Sequence, residues 1–233
     1  HGVMTYGFEG HEVQLKSIDP VAGGQRLKIV VMGAPHEVKL PLIGAFQASN
    51  ALCALTLALA CGEDAATAVS AMANLEGIPG RVQFIGHHAS GGAVYVDYAH
   101  TPDALASLLK ALRPHAAGRL VVVFGCGGER DPGKRPEMGH FACDFADSVI
   151  VTDDNPREEN AAEIRREVMA GCSGAREIGD RGEAIRAAIS ALKSDDLLVI
   201  AGKGHEPGQT VGTEVLPFDD ASVALEVIGG ASA

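Results

Sequence analysis

The sequence predicts an α/β protein whose main part is a parallel sheet wound with helices on its faces. Two observations lead to this prediction. Along residues 81–233, short runs rich in valine and isoleucine alternate with amphipathic helical segments, and every concentrated polar or glycine-rich motif of this stretch follows one of the runs. An alternation of strand and helix is typical of parallel sheets, because parallel strands need crossover connections.

Four strands are predicted in this part of the chain, each a short apolar run. Their bounds are Ala93 to Asp97, Leu120 to Phe124, Ser148 to Thr152 and Leu197 to Ala201.

Three helices between or after these strands have recognisable starts. Thr101 and Pro102 begin the first, and its leucines recur at i, i+3, i+4 and i+7 from Leu105. The second begins at Asn160 and the third at Asp180, each with a glutamate three residues later. This is the spacing of a capping box.

The amino-terminal part has a different pattern. Residues 1–39 mix short β-like runs with glycine and proline, and two helices are predicted over 51–60 and 65–75. This part is typical of an α+β arrangement with an incomplete set of strands. A turn cluster at residues 77–80 predicts a domain boundary. The predicted domains are residues 1–79 and 80–233.

Polar motifs follow the carboxyl ends of all four predicted strands. Because ligands of wound sheets bind at that edge, we expect the motifs to converge on one crevice. The motifs are DYAHT (97–101), GCGGERD (125–131), DDNPR (153–157) and GKGHE (202–206).

Acidic residues outnumber basic ones by 30 to 19, a formal net charge of −11. This balance argues against a general polyanion binder, so we expect neither a nucleic-acid partner nor a membrane partner. The longest uncharged stretch, Leu40 to Gly62, could span a bilayer by length alone. Proline, glycine and polar residues interrupt its first half, so a buried helix is the better interpretation.

The five cysteines are odd in number and widely spaced, which fits neither a disulfide framework nor a zinc site. We therefore expect a reducing cytoplasm, no metal site, and cysteines that mostly fill the core.

The glycine-rich motif has two readings. Its backbone can approach a ligand closely, with Arg130, Lys134 and Arg135 as cations for phosphate or carboxylate, or it is a tight turn with a solvated basic flank. It does not match the GxGxxG fingerprint, and the chain contains no GxxxxGK[ST] loop.

The other motifs also allow a structural alternative. Arg157 lies on a turn stiffened by Pro156 and could bind a carboxylate through two hydrogen bonds, or the motif is an ordinary turn that leads into the helix cap at Asn160. Because a turn alone needs no arginine, the first reading is favoured. GKGHE offers either ligand groups or exposed charges on a left-handed turn. Asp97 and His100 are an acid–base pair, or Asp97 merely caps the next helix. Asn50 would need a hydrogen-bond partner if it were buried.

Taken in order, five motifs resemble the carboxyl-terminal part of the Mur ligases: GxPGR, VDYAHTPDAL, VVFGCGGERDPGKRPEMG, TDDNPREEN and AGKGHE. GAFQASNALCALTLAL is similar to the family's FNxxNxLAA segment, with Gln47 where the family usually has asparagine and Asn50 matching. The resemblance covers essentially the whole chain. It implies a Rossmann-like, mostly parallel wound sheet preceded by part of an α/β central ATP-binding domain.

The resemblance implies an ATP-dependent amide ligase of peptidoglycan precursor synthesis. Such ligases transfer the terminal phosphoryl group of ATP to a carboxylate, and an incoming amine attacks the acyl phosphate. The implied nucleotide contacts are Asn50, Arg81, Asp97, Tyr98 and His100. The implied amino-acid contacts are Arg130, Asp154, Asn155, Arg157, Gly202 and Glu206. No catalytic residue is identified.

The DNPR form is similar to family members that add meso-diaminopimelate to UDP-MurNAc-L-Ala-D-Glu. That amino acid ends in an ammonium and a carboxylate, which Glu206 and Arg157 can pair with, whereas Arg157 would repel the ammonium of a lysine.

The implied cofactors are ATP and Mg²⁺, but the family's P-loop, magnesium ligands and UDP-binding domain would lie upstream of His1. The chain, which begins without an initiator methionine, is therefore expected to be a fragment that does not turn over alone. Two alternatives stay open. One is a non-catalytic module that binds an amino acid or nucleotide, and the other is a related ligase of the lysine-adding or folylpolyglutamate type.

Overall fold

The computed structural model, which describes residues 2–21 and 23–230, separates the chain into two units, His1–Gly77 and Ile78–Ala233. Each unit has its own hydrophobic core.

The first unit is a four-stranded sheet with two helices. Strands β1 (Tyr6–Gly7), β2 (Val13–Val21), β3 (Gly24–Val31) and β4 (Ala34–Leu40) lie in this order in the sheet. The β1–β2 pair is parallel and the other pairs are antiparallel. Helix α1 (Ala45–Ala60), helix α2 (Ala65–Ala71) and a 3₁₀ turn (Met72–Asn74) follow. Leu27 and Ile29 of β3 pack in one core with Leu52 and Leu55 of α1.

The two predicted helices of this unit are confirmed, although α1 begins six residues earlier than expected. The stretch from Leu40 to Gly62 contains this helix, and no described helix is long and apolar enough to cross a membrane. Strand β4 was not predicted, because only Val38 and Leu40 of its seven residues are buried and the apolar signal is weak.

The second unit contains a six-stranded sheet in the order β5-β6-β10-β7-β8-β9. Its strands are β5 (Gln83–His87), β6 (Ala93–Asp97), β7 (Leu120–Phe124), β8 (Ser148–Val151), β9 (Arg176–Glu177) and β10 (Leu197–Ala201). Only the β5–β6 pair is antiparallel, so the predicted, mostly parallel sheet is confirmed. All residues of the central strands β7 and β10 are buried, as a sheet covered on both faces requires.

Five α-helices, a 3₁₀ turn (Arg113–His115) and a hairpin complete the described part of this unit. The helices and the hairpin are α3 (Pro102–Leu112), α4 (Lys134–Phe145), α5 (Ala161–Ala170), α6 (Arg181–Ser190), the hairpin β11 (Gly208–Val211) and β12 (Glu214–Pro217), and α7 (Asp220–Gly230). The three predicted helix starts are confirmed: the side chains of Thr101, Asn160 and Asp180 each accept a backbone N–H of the first turn. These caps satisfy donors that the helix itself cannot pair.

The expectation that the cysteines remain unpaired is wrong for two of them. Cys143, near the end of α4, forms a disulfide with Cys172, which follows α5, and their Cα atoms are 5.5 Å apart. The two helices approach closely because Gly139 and Gly171 lie against the neighbouring backbone. This proximity arises from helix packing across a separation of 29 residues, so the spacing in the sequence could not reveal it.

A buried ion pair lies at the carboxyl edge of the six-stranded sheet. Arg181, at the start of α6, donates from Nε and Nη2 to the two carboxylate oxygens of Asp220, at 2.7 Å each, and neither side chain is exposed. Arg181 also donates to the carbonyl groups of Ala201 and Asp153. One guanidinium therefore connects α6, α7 and the ends of β8 and β10.

Arg181→Met is expected to lower the free energy of unfolding by about 3–5 kcal/mol, because it leaves the buried Asp220 carboxylate unpaired. Urea denaturation followed by circular dichroism measures the change. The double variant Arg181→Met/Asp220→Leu should recover much of the loss. Arg166→Met, which removes an exposed arginine from α5, is the matched control and should have little effect. Equal losses for the two single variants would contradict the assigned importance of the buried pair.

Candidate ligand-binding site

A cavity of about 520 Å³ lies at the carboxyl edge of the six-stranded sheet. Segments after β6, β7, β8 and β10 all line it, so the predicted convergence of the four motifs is confirmed. The lining residues are Tyr98, His100, Thr101, Pro102, Asp103, Gly125, Cys126, Gly127, Arg130, Asp131, Lys134, Glu137, Asp154, Asn155, Arg157, Gly202 and Glu206.

Asp97, the last residue of β6, accepts hydrogen bonds from the backbone of two segments, one before β5 and one after β6. Its Oδ2 accepts the N–H of Val82 at 2.8 Å and its Oδ1 accepts the N–H of Ala99 at 2.7 Å. Burial raises the pKa of this carboxyl group, while the two hydrogen bonds and the charge of Arg81 oppose the shift. Among the described hydrogen bonds none joins Asp97 to His100. Asp97 does not cap the next helix either, because the side chain of Thr101 accepts the first-turn N–H of α3, and the observed contacts of Asp97 are those to Val82 and Ala99.

Rings and a guanidinium form a cluster beside the cavity. The Arg81 guanidinium lies 4.9 Å from the centroid of the Tyr98 ring, and the rings of His100 and His205 lie 4.6 Å and 5.6 Å from it. His100 is exposed, and its Nδ1 is 2.9 Å from the Tyr98 carbonyl oxygen. Three of the predicted nucleotide contacts are therefore neighbours.

A glycine contact brings the GxPGR segment against the GKGHE segment. Gly80 has φ +71°, a conformation that side chains disfavour, and a Cβ atom there would lie 2.4 Å from the backbone nitrogen of His205. Only glycine fits such an approach, which positions Arg81 next to the carboxyl edge of the sheet.

The three cations that follow β7 have different surroundings. Arg130 is exposed at the cavity, and Lys134 donates to the carbonyl oxygen of His100 at 2.8 Å. Arg135 is only 2% exposed and pairs with Glu159 and Glu167, each at 2.8 Å, so both readings of the motif are wrong for this residue: it is neither a cation for a ligand nor part of a solvated flank. Successive side chains of an α-helix are rotated by about 100°, so Arg135 is buried although its neighbour Lys134 lines the cavity.

The loop after β8 is held by the β11–β12 hairpin. Gln209 donates to the carbonyl oxygen of Asp154 at 2.7 Å, and the N–H of Thr210 donates to Oδ1 of Asn155 at 3.0 Å. The N–H of Arg157 donates to the Thr210 carbonyl at 3.1 Å, and Gly212 donates to the Arg157 carbonyl at 2.8 Å. The hairpin therefore provides the backbone partners of this loop, a support that sequence reasoning did not predict.

Arg157 adopts a left-handed backbone with φ +52°, which is uncommon for a residue with a side chain. Its Nη1 donates to the Gly128 carbonyl at 2.7 Å, and the guanidinium lines the cavity. Such strain persists only where the surroundings hold it, which is characteristic of functional sites.

The loop after β10 supplies Gly202 and Glu206. Gly202 has φ +112°, and a Cβ atom there would lie 2.8 Å from Oδ2 of Asp154. Glu206 is partly exposed in the cavity, and its Oε2 accepts from Asn155 at 3.0 Å. Lys203, which was not among the predicted site residues, is fully buried and donates to Asn155 and Glu206.

The lining carries both signs of charge. The predicted amino-acid contacts supply two guanidinium groups, from Arg130 and Arg157, and two carboxylates, from Asp154 and Glu206. Within the described parts of the chain, no group of three His, Cys, Asp or Glu side chains could hold a metal ion. The site therefore suits a ligand with both ammonium and carboxylate groups.

The remaining predicted contact, Asn50, belongs to α1 of the first unit. It is exposed, and its Nδ2 donates to Oε1 of Gln47 at 3.3 Å.

Two family descriptions match the chain: "Mur ligase, glutamate ligase domain" over residues 80–204 and "Mur ligase middle domain" over residues 1–58. A UDP-N-acetylmuramoyl-L-alanyl-D-glutamate–2,6-diaminopimelate ligase from Caulobacter vibrioides is 52% identical over 231 residues, and one from Rhizobium meliloti is 50% identical over 230. Each alignment covers 99% of this chain.

A solved structure of a ligase with the same name is 37% identical and superposes with a TM-score of 0.78. It covers 99% of this chain, which in turn covers 48% of that one. The chain likewise spans about half the length of the curated relatives, 48% and 47%.

Cys126 is expected to resist alkylation although it lines the cavity, because burial raises the pKa of its thiol to about 12. At pH 8 iodoacetamide should modify the exposed Cys61 at least about a hundredfold faster, since only the thiolate reacts. Mass spectrometry of timed digests measures both rates. Equal rates at the two cysteines would contradict the prediction.

Proposed function

Because the chain belongs to the Mur ligase family, we propose that it is the carboxyl-terminal part of an ATP-dependent amide ligase that adds meso-diaminopimelate to UDP-MurNAc-L-Ala-D-Glu. The observation that carries the proposal is that one cavity is lined by both Arg157 and Glu206, an arginine and a carboxylate from the loops after β8 and β10. Relatives of that name, about 50% identical over nearly the whole chain, support it.

In this proposal the second domain, residues 80–233, holds the incoming amino acid. Arg157 pairs with the distal carboxylate of meso-diaminopimelate and Glu206 with its distal ammonium, both as charge-assisted hydrogen bonds. Arg130, Asp154, Asn155 and Gly202 complete the site. The strained backbone of Arg157 and the contacts of Glu206 support this assignment, because both side chains are held before a ligand arrives.

The proposed nucleotide contacts of the second domain are Arg81, Tyr98 and His100, and Tyr98 and His100 line the same cavity. The first domain, residues 1–79, is proposed to be part of an ATP-binding domain. Arg81, Tyr98 and His100 offer a cation and two rings, groups that suit phosphate and a planar base. Asp97 acts on this site through the backbone of Val82 and Ala99. Asn50 is the proposed contact from the first domain.

ATP supplies the phosphoryl group that activates the D-glutamyl carboxylate. The residues of this chain then bind and orient the incoming amino acid, so that its amine meets the activated carbonyl at short range. Phosphate leaves when the amide forms, and the amine loses a proton. No residue is assigned to that proton transfer. Mg²⁺ would neutralise the phosphate charges, and its ligands are not assigned to this chain.

The reaction is placed in the cytoplasm, where ATP and UDP-linked precursors are found. A lysine-adding ligase is the less favoured alternative, because Arg157 would face an ammonium instead of a carboxylate. A non-catalytic binding module would use the same cavity, and it would form no amide in the complete protein.

In the complete ligase, meso-diaminopimelate should be preferred over lysine, and Arg157→Lys should lower kcat/KM for meso-diaminopimelate by about tenfold or more. Lysine cannot reproduce the bidentate geometry of a guanidinium on a carboxylate. Phosphate release with UDP-MurNAc-L-Ala-D-Glu, ATP and each amino acid measures both quantities. Arg166→Lys, an exposed arginine of the same unit, is the control and should behave as wild type. A preference for lysine would refute the assignment of Arg157.

The 233-residue chain alone is expected to form no amide, because it contains no GxxxxGK[ST] loop to hold a triphosphate. The same assay with the isolated chain, next to the complete ligase as a positive control, tests this. Amide formation that depends on ATP and on the isolated chain would show that the chain turns over without such a loop.

A further inference from the structure

Lys203 is a fully buried cation whose side chain bonds to two residues of the cavity lining. Arg135, Arg181 and Lys203 are the buried cations among the described residues, with 2%, 1% and 0% exposure. The two arginines pair with carboxylates that do not line the cavity. Lys203 differs from them, because both of its side-chain partners do line it.

The contacts of Lys203 fix the side chain of Asn155. Its Nζ donates to Oδ1 of Asn155 at 2.9 Å, and the N–H of Thr210 donates to the same oxygen at 3.0 Å. Two donors on one side determine which end of the amide is oxygen. The amide Nδ2 is thereby turned towards Glu206, where it donates to Oε2 at 3.0 Å.

The same ammonium also holds the carboxylate of Glu206. Nζ lies 3.3 Å from Oε2, so this oxygen accepts hydrogen bonds from both Lys203 and Asn155. In the described hydrogen bonds Oε1 has no donor, and it is the oxygen that can accept from a ligand. The side chain of Glu206 is 36% exposed and lines the cavity, while Lys203 and Asn155 hold its other oxygen.

Charge also matters at this point. A buried ammonium is costly unless a carboxylate compensates it. Among the described ion pairs, the carboxylate within reach of Lys203 is that of Glu206. A ligand ammonium therefore meets a carboxylate that is already partly neutralised. A ligand with only an ammonium gains less from such a group than from an unpaired carboxylate, whereas one with an added carboxylate also gains the pairing with Arg157.

We propose that Lys203 is a positioning residue that makes the site selective for an amino acid with a zwitterionic distal end. It orients Asn155 and Glu206 before binding and reduces the attraction of Glu206 for a lone ammonium. This inference rests on the proposed function, because it needs meso-diaminopimelate as the ligand.

A double-mutant cycle in the complete ligase tests the proposal. KM and kcat are measured for meso-diaminopimelate and for lysine in the wild type, Lys203→Met, Glu206→Gln and the double variant. Lys203→Met should raise KM for meso-diaminopimelate about tenfold or more, with a smaller effect on kcat. The ratio of kcat/KM for meso-diaminopimelate over lysine should fall. The double variant should be little worse than Glu206→Gln, because Lys203 acts through that carboxylate.

Lys193→Met, at an exposed lysine, is the matched control and should leave all constants unchanged. If Lys203→Met does not fold by circular dichroism, Lys203→Gln decides, since it keeps a donor without the charge. Additive losses, or the same fold loss with both amino acids, would mean that Lys203 only supports the fold and would overturn the proposal. A wild-type ligase that forms no amide with either amino acid contradicts the proposed function and this role with it. An active wild type with an unchanged ratio in the variant contradicts the role of Lys203 alone.

Discussion

The buried pair of Arg181 and Asp220 governs the carboxyl edge of the sheet. A guanidinium in the interior requires a complete set of acceptors, and Asp220 supplies two of them. The others are the carbonyl groups of Ala201 and Asp153, which directly precede Gly202 and Asp154. Satisfying one cation therefore fixes the points at which two of the loops around the cavity begin. The positions of the ligand-facing groups on those loops therefore depend on the Arg181–Asp220 pair, which is buried and does not line the cavity.

For the ligands that the cavity can bind, the placement of a few charged side chains matters more than the net charge of the chain. The chain carries 11 more acidic than basic residues, yet the cavity is lined by Arg130, Lys134 and Arg157 together with carboxylates. Electrostatic attraction at contact distance depends on the few nearest groups, because water and salt screen the remainder. An acidic protein can in this way hold ligands that carry carboxylates or phosphates.

The sequence was sufficient for the four inner strands of the six-stranded sheet, but not for its edge strands β5 and β9 or for the direction of individual side chains. The strands β6, β7, β8 and β10 were predictable because each is a short apolar run. Lys134 and Arg135 are adjacent cations, and only the rotation of α4 decides that one lines the cavity and the other is buried. The depth of Lys203 and the pairing of Cys143 with Cys172 likewise depend on distant parts of the chain.

The support that the β11–β12 hairpin gives to the 154–157 loop has a consequence for protein engineering. Two backbone hydrogen bonds, from Arg157 to Thr210 and from Gly212 to Arg157, bridge the loop to the hairpin at Val211. The hairpin also donates to the carbonyl oxygen of Asp154 and to the side-chain oxygen of Asn155. The four residues DNPR therefore cannot be transferred to another protein on their own with their conformation preserved. Grafted alone into a different ligase, they would lose the partners that hold Arg157 in its left-handed conformation. The unit that could be transplanted is the loop together with residues 208–217, and recombination between homologous genes would have to exchange both to keep specificity intact.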